Sequence, residues 1–469
     1  MSQPAQAPGP MPSARPTDDR PVQATGLEQA LALHQAGDLG AASEAYEQLL
    51  AADPRQPSLR HNLGMIRLHQ RSTARALPLL EQAWAEDGNN DGWLQSLPEI
   101  GMVLYHMGLW EDARLWLGRA ATHAPPGTTL APALRDALHR IQPRDHLAPE
   151  VLDPLQGRAL LRYAPRESDT YVYAIDVVGT CNLRCPTCPV GNFPAAQRPR
   201  GHMALDLFER ILDKIMAEAV AARPAIWLFN WGEPLLHPAL GALVRAVKQR
   251  GLPCHLSTNL NVTRGLRELA QANPDDLKIS LSGFTPERYA ITHQRGDLVL
   301  VKSNMRLLRR LLDEARATTR VWVGHHLYKG GEADIPAVRA LCDELGFEHH
   351  PIAAFYQPLE RLVDLLEGRG SPDPIVSMLI EPPQVYLPRI AAARSTRHDC
   401  ELRFNQTVIN HDGTVALCCN VYDQPNMLGL DFVDTPHAEL EAAKYRHPFC
   451  ATCMRHGLSY TIRDASKLG

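Results

Sequence analysis

The feature that most constrains this chain is a regular alternation of strand-like and helix-like segments over residues 170–370. Six short runs rich in apolar and β-branched residues are followed by helix-length amphipathic stretches such as ALDLFERILDKIMAEAVAA. The runs are YVYAIDVV, AIWLFN, PCHLST, LKISLS, VWVGHHLY and HHPIAAF. Strands that alternate with helices form a parallel sheet, so six βα units and an α/β fold are predicted. Because such sheets bind ligands beyond the carboxyl ends of their strands, the residues after each run are the candidate site residues.

The residues before this segment have a helical pattern that repeats. Over residues 26–140 the pattern recurs with offsets of 34 residues from Gly37 to Arg71 and 37 residues from Arg71 to Gly108. Alanines stay in register at Ala42, Ala76 and Ala113. The period resembles that of tetratricopeptide repeats, in which helix pairs stack because neither face is buried alone. We expect about three units that bind a partner or pack, without chemistry of their own; an accidental period in an ordinary helical domain is the alternative.

The bulk composition narrows the possible partners. A chain of 469 residues predicts about two to four domains. Its 48 Lys and Arg against 52 Asp and Glu give a formal charge of -4, which offers no basic field for nucleic acid. No stretch reaches about 18 uninterrupted apolar residues, so no membrane span is predicted. Residues 1–25 are rich in Pro, Ala and polar residues without an apolar signal segment, which favours a disordered tail.

Three of the ten cysteines lie close together in GTCNLRCPTCPVGN, residues 179–192, at Cys181, Cys185 and Cys188. Cysteines without an export signal indicate a reducing cytoplasm, where clustered thiols more often serve metal binding or catalysis than disulfides. Zinc sites and closed iron–sulfur sites use four protein ligands. The trio therefore either borrows a fourth ligand, such as His202 in a zinc knuckle, or leaves one metal position open for a substrate or cofactor.

The Cys-x3-Cys-x2-Cys spacing, directly after the first strand and with five βα units behind it, resembles the radical S-adenosylmethionine (radical SAM) family. The resemblance covers roughly residues 170–460 and implies a partial (β/α)6 barrel. It implies a [4Fe–4S] cluster held by the three cysteines, with S-adenosylmethionine (SAM) on the fourth iron. It further implies that an electron from a donor such as flavodoxin or ferredoxin cleaves SAM to a 5'-deoxyadenosyl radical, which abstracts hydrogen from a C–H bond.

Residues after the later strands extend the resemblance. In NWGEP, Gly232 and Glu233 match the family segment that receives the SAM ammonium group, although Trp231 replaces the first glycine of that segment. After the third run, Ser257 and Asn259 match polar residues that line the ribose and carboxylate side of SAM. After the fourth run, period-two alternation places two further hydroxyls on one face of the strand. These are Ser280 and Ser282, which could equally be satisfied core hydroxyls.

The two histidine pairs and the two isolated cysteines of this segment are interpreted mainly as structural residues. Adjacent strand residues point to opposite faces, so at most one histidine of each pair faces inward. The pairs are His325 with His326 and His349 with His350. An inward histidine or Tyr328 is a minor candidate for substrate contact. Cys254 and Cys342 stand alone in a strand and a helix, and are expected to be small buried hydrophobic residues.

The last 70 residues contain a second cysteine group. CELRFNQTVINHDGTVALCC predicts a hairpin with a turn at Asp412-Gly413, with Cys400 before its first strand and Cys418 after its second. CATC adds Cys450 and Cys453. The order resembles the twitch domain, a shortened relative of the SPASM domain, and implies one auxiliary [4Fe–4S] cluster on these four cysteines; a structural zinc is the alternative. Pleat alternation groups Cys419 with Val415 and Leu417, as a packing residue.

These patterns predict an all-α repeat domain, a radical SAM barrel and a small C-terminal iron–sulfur domain that contains a hairpin. The expected divisions are a tail at 1–25, repeats at 26–140, a linker at 141–169, the barrel at 170–370, a linker at 371–399 and the cluster domain at 400–469. The expected function is radical chemistry on a peptide or protein, by oxidation, crosslinking or epimerisation. A dehydrogenase or epimerase of a sugar-like or aminocyclitol metabolite is one alternative. A repeat scaffold with structural zinc and an electron-transfer protein are the others.

Overall fold

The computed structural model describes residues 21–88, 90–124, 131–143, 150–153, 158–161, 163–165, 171–192, 200–221, 224–369, 373–393 and 399–460. Most of the predicted tail, residues 1–20, lies outside these ranges, and the first helix begins at Pro21. The N-terminal part is helical, as predicted. Its helices are α1 (Pro21–Gln35), α2 (Leu39–Ala52), α3 (Pro57–His69), α4 (Thr73–Asp87), α5 (Asp91–Leu94), α6 (Leu97–His106), α7 (Trp110–Thr122) and α8 (Pro132–Arg140).

The helical repeat has a visible packing basis. Helices pair as α1 with α2, α3 with α4 and α6 with α7, and each pair is joined by a residue with positive φ, at Gly37, Arg71 and Gly108. Glycines in α3 and α6 let the partner helix approach, since a Cβ on Gly64 would lie 2.7 Å from Leu80 and one on Gly101 would lie 2.5 Å from Leu117. The three alanines in register are fully buried. The repeated positions are therefore those where two helices touch.

A parallel sheet follows, with all six predicted strands present. The strands are β5 (Tyr171–Ile175), β6 (Pro224–Trp227), β7 (Cys254–Thr258), β8 (Asp276–Leu281), β9 (Arg320–Leu327) and β10 (Glu348–Ala353), and each pairs with the next in parallel. Two short antiparallel ribbons precede the sheet within the predicted linker. They pair β1 (Ile141–Pro143) with β4 (Tyr163–Pro165) and β2 (Glu150–Asp153) with β3 (Arg158–Leu161).

Amphipathic helices cover one face of the parallel sheet, as the alternating pattern requires. They are α10 (Leu205–Glu218), α11 (Leu240–Gln249), α12 (Leu266–Ala272), α13 (Pro286–Thr292), α14 (Leu298–Ala315) and α15 (Ile335–Leu345), with the short α9 (Pro189–Asn192) before them. Their buried residues form one core with alternate strand residues such as Tyr173, Leu256 and Ile279. The remaining strand residues, such as Ser257 and Ser280, face the other side of the sheet. No helix among the described residues has the length and apolar character needed to cross a membrane.

The C-terminal hairpin is present but is not separate from the parallel sheet. Strands β11 (Gln406–Ile409) and β12 (Thr414–Ala416) pair antiparallel around a turn in which Gly413 has φ of 88°. Strand β11 also pairs in parallel with β5, and β13 (Met427–Asp431) adds to β12, so a single sheet has the order β10-β9-β8-β7-β6-β5-β11-β12-β13. The sequence predicted the hairpin, and the structure adds that it continues the parallel sheet.

The second predicted linker contains packed helices. Residues after β10 form α16 (Leu359–Leu366), α17 (Ile375–Met378), α18 (Pro383–Ala393), α19 (Glu401–Phe404), α20 (His437–Arg446) and α21 (Pro448–His456), of which α17 and α18 lie in this linker. Helix α18 packs on α4. One apolar cluster joins α6 and α7 to Tyr328 at the end of β9, to Ile390 in α18 and to Cys453 in α21. The helical region therefore shares a core with the end of β9 and the C-terminal segment, which the division into modules did not predict.

Candidate functional site

The first cysteine trio lies on the loop that directly follows β5. Within this loop the backbone N–H of Leu183 donates to Cys181 Sγ at 3.4 Å, and that of Cys188 donates to the carbonyl of Cys185 at 3.0 Å. All three side chains are partly exposed. Burial, and next the Glu233 carboxylate, raise the pKa of Cys181 to about 12. Burial also raises the pKa of Cys185. The thiolates of Cys181 and Cys185 are therefore disfavoured by the protein alone, and a bound cationic metal centre would supply the missing positive charge.

Glu233 joins the ends of three strands beside this loop. It is 3 % exposed, and its backbone N–H donates to Thr180 O at 2.9 Å. Its carboxylate accepts hydrogen bonds from Thr258 Oγ1 at 2.7 Å and from the N–H groups of Leu235 and Asn259 at 3.0 and 2.8 Å. Two of these bonds reach Oε1 and one reaches Oε2, so Oε2 can accept a further donor. Burial raises the pKa of Glu233 despite these donors.

Asn259 provides the direct contact between a strand end and the trio. Its Nδ2 lies 3.5 Å from Cys181 Sγ and 2.9 Å from Asn182 Oδ1, and its Oδ1 accepts the N–H of Asn261 at 2.8 Å. Its own backbone N–H is held by Glu233. The structure thus brings together Cys181, Glu233 and Asn259, three of the residues that the sequence selected.

Asp176 is a site residue that the sequence reasoning missed. It directly follows β5, and its carboxylate accepts the N–H of Trp231 at 3.1 Å and of Gly232 at 3.0 Å. Burial raises the pKa of Asp176 to about 6. A Cβ on Gly232 would lie 1.7 Å from Val178 O, so only glycine fits there. The sequence does contain a signal for Asp176, because it is an acidic residue directly after a strand of the parallel sheet.

Trp231, which replaces the glycine of the family segment, links the loop after β6 to the C-terminal segment. Its indole Nε1 donates to Val421 O at 3.0 Å, and its ring meets Tyr422 edge to face with centroids 5.9 Å apart. The backbone of this position approaches Asp176 in spite of the large side chain. The tryptophan therefore adds a contact between the Gly-Glu loop and the chain that follows Cys418.

The three serines differ in their surroundings. Ser257 Oγ and Ser280 Oγ lie 3.2 Å apart and are both partly exposed. Ser282 is buried, and its carbonyl accepts the hydroxyl of Thr292. Ser257 on β7 and Ser280 on β8 thus face each other, and one hydroxyl donates a hydrogen bond to the other. Their predicted contact with SAM stays a prediction.

The histidine pairs divide between the two faces of the sheet, as strand alternation predicts. His325 is fully buried, and its Nδ1 lies 3.3 Å from His349 Nε2. His350 is exposed and pairs with Glu348. His326 and Tyr328 together line a cavity at the end of β9, and Tyr328 OH lies 3.0 Å from Thr187 Oγ1 in the cysteine loop. Cys254 and Cys342 are fully buried in the core, as expected.

The second cysteine group converges on one cavity. Cys400, Cys418, Cys450 and Cys453 line it together with Leu359 and Arg403. Burial raises the pKa of all four thiols, and their mutual proximity adds to the shift for Cys418 and Cys453. Within the described residues, no three His, Cys, Asp or Glu side chains have the arrangement of a single-ion site. In a cluster, by contrast, each thiolate binds a different iron atom.

Two buried cations lie against this second group. Lys444 is 1 % exposed and donates to Gln406 O; burial lowers its pKa to about 8. Arg403 is 2 % exposed and pairs with Asp399 at 2.7 Å. For both cations burial is the largest influence on the pKa and lowers it, while acidic neighbours and the thiols of Cys400 and Cys450 act in the opposite direction. Buried cations next to clustered thiols suit a negatively charged metal–thiolate centre.

Neighbouring cysteines 418 and 419 face different surroundings, but the predicted grouping of Cys419 with Val415 and Leu417 is wrong. Cys419 packs with Ala416 of β12, Ala174 of β5 and Val408 of β11. Leu417 instead lines the cavity with Cys418. Strand β12 ends at Ala416. Pleat alternation does not extend beyond the end of a strand, so it could not group the later residues.

Comparison with known proteins places this geometry in a family context. Residues 175–330 match the model of the Radical SAM superfamily. These residues form a radical SAM domain. The superfamily uses a [4Fe–4S] cluster and SAM. The radical SAM domain includes the cysteine trio, Asn259 and Glu233, whereas the second cysteine group lies outside the matched range.

Curated relatives match part of this chain. The chain is 33% identical over 124 residues to the tungsten-containing aldehyde ferredoxin oxidoreductase cofactor-modifying protein of Pyrococcus furiosus, which is 26% of this chain and 33% of that protein. It is 30% identical over 83 residues to 7-carboxy-7-deazaguanine synthase of Synechocystis sp., which is 18% of this chain and 35% of that protein. The chain thus spans about a third of the length of each relative.

Solved structures align over a larger share of the chain at lower identity. anSMEcpe with bound AdoMet is 17% identical with a TM-score of 0.40, covering 60% of this chain and 82% of that one. SuiB of Streptococcus suis bound to S-adenosylmethionine is 12% identical with a TM-score of 0.39, covering 81% and 82%.

Proposed function

We propose that this protein is a radical SAM enzyme that cleaves SAM reductively and abstracts hydrogen from a C–H bond of a peptide or protein substrate. Oxidation, crosslinking and epimerisation are the outcomes that this chemistry allows. The observation that supports the proposal is the 3.5 Å contact between Asn259 Nδ2 and Cys181 Sγ. It shows that a predicted SAM-binding residue after β7 lies beside a predicted cluster ligand. When bound, the cluster supplies the electron that breaks a C–S bond of SAM.

In this proposal the site residues divide into metal ligands and SAM-binding groups. The ligands are Cys181, Cys185 and Cys188. Glu233 receives the SAM ammonium group on Oε2, the oxygen that accepts a single hydrogen bond from the protein. Gly232 allows the close approach of this loop, and Asp176 holds its backbone in place. Ser257 and Asn259 contact the ribose and carboxylate side, and Ser280 and Ser282 are the other proposed SAM-binding residues.

We further propose that Cys400, Cys418, Cys450 and Cys453 hold an auxiliary [4Fe–4S] cluster. The support is their common cavity and the two buried cations, Arg403 and Lys444, which offset negative charge there. Such a cluster would exchange electrons with the substrate radical or with a donor such as flavodoxin or ferredoxin. We also propose that the helical repeats bind a protein partner.

A second candidate is a dehydrogenase or epimerase of a small sugar-like or aminocyclitol metabolite. The packing of α18 on α4 favours it, because this contact covers a helix face that a free-standing repeat would offer to a peptide. Tyr386 and Ile390 of α18 are buried at 6 % and 1 % exposure. The two candidates share the SAM site and differ only in the substrate.

Anaerobic reduction of the iron-loaded protein with SAM tests the proposal, with 5'-deoxyadenosine as the measured product. Its absence, in protein that contains only zinc, would support the scaffold alternative instead. Product formation that rises with candidate peptides or with aminocyclitols separates the two enzyme candidates.

The Glu233→Ala variant should bind SAM about tenfold or more weakly, because a charge-assisted hydrogen bond is lost. Glu287→Gln, on the first turn of α13, is the control and should bind SAM normally. Unchanged SAM affinity in the Glu233 variant would remove this residue from the site.

A further inference from the structure

The second cysteine group is surrounded by buried charged side chains that belong to no cysteine motif. Lys444, Arg403 and Asp399 are all almost fully buried. Arg403 lines the cysteine cavity, and Asp399 accepts the backbone N–H of the first cysteine of the group at 2.7 Å. Glu360, the other buried acid nearby, influences the pKa of Cys453 less than burial, the neighbouring thiols and Arg403 do. Besides the thiols themselves, the first three side chains therefore dominate the charge at this site.

Lys444 is the cation of this set that has no acid in contact. Its ammonium donates to Gln406 O and lies 3.4 Å from Thr407 Oγ1, so both oxygens that it meets are neutral. Within the described part of the chain it makes no ion pair. Burial lowers its pKa to about 8, while Glu441 and three thiols of the second cysteine group act in the opposite direction. A buried positive charge is retained where negative charge offsets it, and thiolates bound to a cluster would supply that charge.

Arg403, by contrast, is held by an acid and by an aromatic ring. Its guanidinium pairs with Asp399 at 2.7 Å, and its Cζ lies 4.1 Å from the centroid of the Tyr445 ring. Burial raises the pKa of Cys400, Arg403 lowers it and Asp399 raises it. The acid therefore weakens the effect of the guanidinium on the thiols, whereas no acid in contact weakens that of Lys444.

The loop trio has different electrostatic surroundings. Burial raises the pKa of Cys181 and of Cys185, and Glu233, an acid, adds to both shifts. Asn259, whose side chain contacts Cys181, is neutral. Reduction adds a negative charge to an iron–sulfur cluster, so nearby positive charge stabilises the reduced form and raises the reduction potential. The buried cations should therefore act on the second centre and not on the first.

We propose that Lys444 and Arg403 raise the reduction potential of the auxiliary cluster, and that Asp399 moderates the contribution of Arg403. The inference rests on the proposed auxiliary cluster and assigns residues outside its ligand set that tune it. A raised potential favours the oxidative outcomes of the proposed reaction, in which the substrate radical gives one electron to this centre and releases one proton. It disfavours epimerisation, in which the radical takes up hydrogen instead.

An anaerobic redox titration of the iron-loaded full chain, followed by electron paramagnetic resonance, tests this proposal. The signal of the auxiliary cluster is the one that remains when the loop trio is replaced by alanine. Lys444→Met removes the positive charge and keeps a long buried side chain. At a fixed potential it should lower the ratio of reduced to oxidised cluster about tenfold, which corresponds to a potential lower by about 59 mV for a one-electron couple.

Lys214→Met is the matched control. Lys214 also donates to a backbone carbonyl, that of Thr435, but it does not line the cysteine cavity. Its replacement should leave the potential of the auxiliary cluster unchanged. A shift as large as that of Lys444→Met would mean that the loss of any partly buried lysine moves the potential, which overturns the proposal.

Asp399→Asn tests the sign of the effect. It removes the negative charge beside Arg403 and keeps an oxygen acceptor, so the potential should rise. A potential that is unchanged or higher in Lys444→Met, or unchanged or lower in Asp399→Asn, overturns the proposal. If Lys444→Met does not retain iron, the direction of the shift in Asp399→Asn decides.

The same titration separates this inference from the proposal on which it rests. A wild-type protein without a cluster at the second cysteine group overturns both. A cluster that is present in the wild type and in the variants, at one common potential, overturns the role of the buried cations alone.

Discussion

Cys181, Cys185 and Cys188 come from one loop of eight residues, whereas Cys400, Cys418, Cys450 and Cys453 come from three separate segments that meet at one cavity. In the first group Cys181 contacts Asn259, a neutral amide. The second lies against two buried cations, Arg403 and Lys444. A local loop can assemble its ligands without distant packing, but the second site exists only after the C-terminal segment has packed. The two sites should therefore fail separately and under different perturbations.

The largest expected effect is the loss of SAM cleavage when the loop trio is removed. Replacing all three of its cysteines with alanine should abolish 5'-deoxyadenosine formation, because the variant lacks every proposed protein ligand of the SAM-binding cluster. The protein should stay coloured and keep about half of its iron, if each site holds four irons. Complete loss of iron would show that the two sites do not assemble independently.

A smaller effect separates the two adjacent cysteines of the second site. Cys418→Ala should lose the auxiliary iron and keep the iron of the loop trio, because Cys418 lines the common cavity. Cys419→Ala is the matched control and should keep both, since Cys419 packs against Ala174 and Val408 instead. Iron analysis and visible absorption measure both outcomes. Iron loss in the Cys419 variant alone would reverse the assignment.

Weaker core packing in the helical region should reduce iron retention at the second cysteine group more than at the loop trio. Leu104 is fully buried in the cluster that also contains Cys453. Leu104→Ala should lower the free energy of unfolding by about 2–5 kcal/mol and release auxiliary iron at a lower temperature. Ile66→Ala, fully buried in a separate helical cluster, is the control. Iron retention that is equal in the two variants would contradict the shared core.

The smallest effect concerns pH near the loop trio. The pKa of Asp176 is raised from 3.8 to about 6, so its contribution to stability is present below about pH 4 and is lost as pH rises through about 6. Between about pH 5.5 and 7.5 the wild type should lose about 1 kcal/mol relative to Asp176→Asn, which has no titrating group there. Denaturation curves at these pH values measure the difference. A difference that does not change with pH would mean that Asp176 has an ordinary pKa.

Local patterns predicted most of the parallel sheet. All six parallel strands and the turn at Asp412-Gly413 lie where the alternation and the turn residues indicate. Burial of Ala42, Ala76 and Ala113 likewise follows from their register. These features depend on the spacing of apolar residues and on backbone conformation over a few positions. Both can be inferred from neighbouring residues in the sequence.

Contacts between distant segments could not be predicted in the same way. The pairing of β11 with β5, the shared core around Tyr328 and Cys453, and the donors on Asp176 each join residues that are far apart in the chain. The wrong grouping of Cys419 has the same origin, because the end of β12 is set by its surroundings. The sequence by itself determined which residues form strands, helix pairs and the cysteine loop, since these depend on neighbours. Only the tertiary structure decided which surfaces meet, because burial and charge at those contacts depend on segments that no local pattern relates.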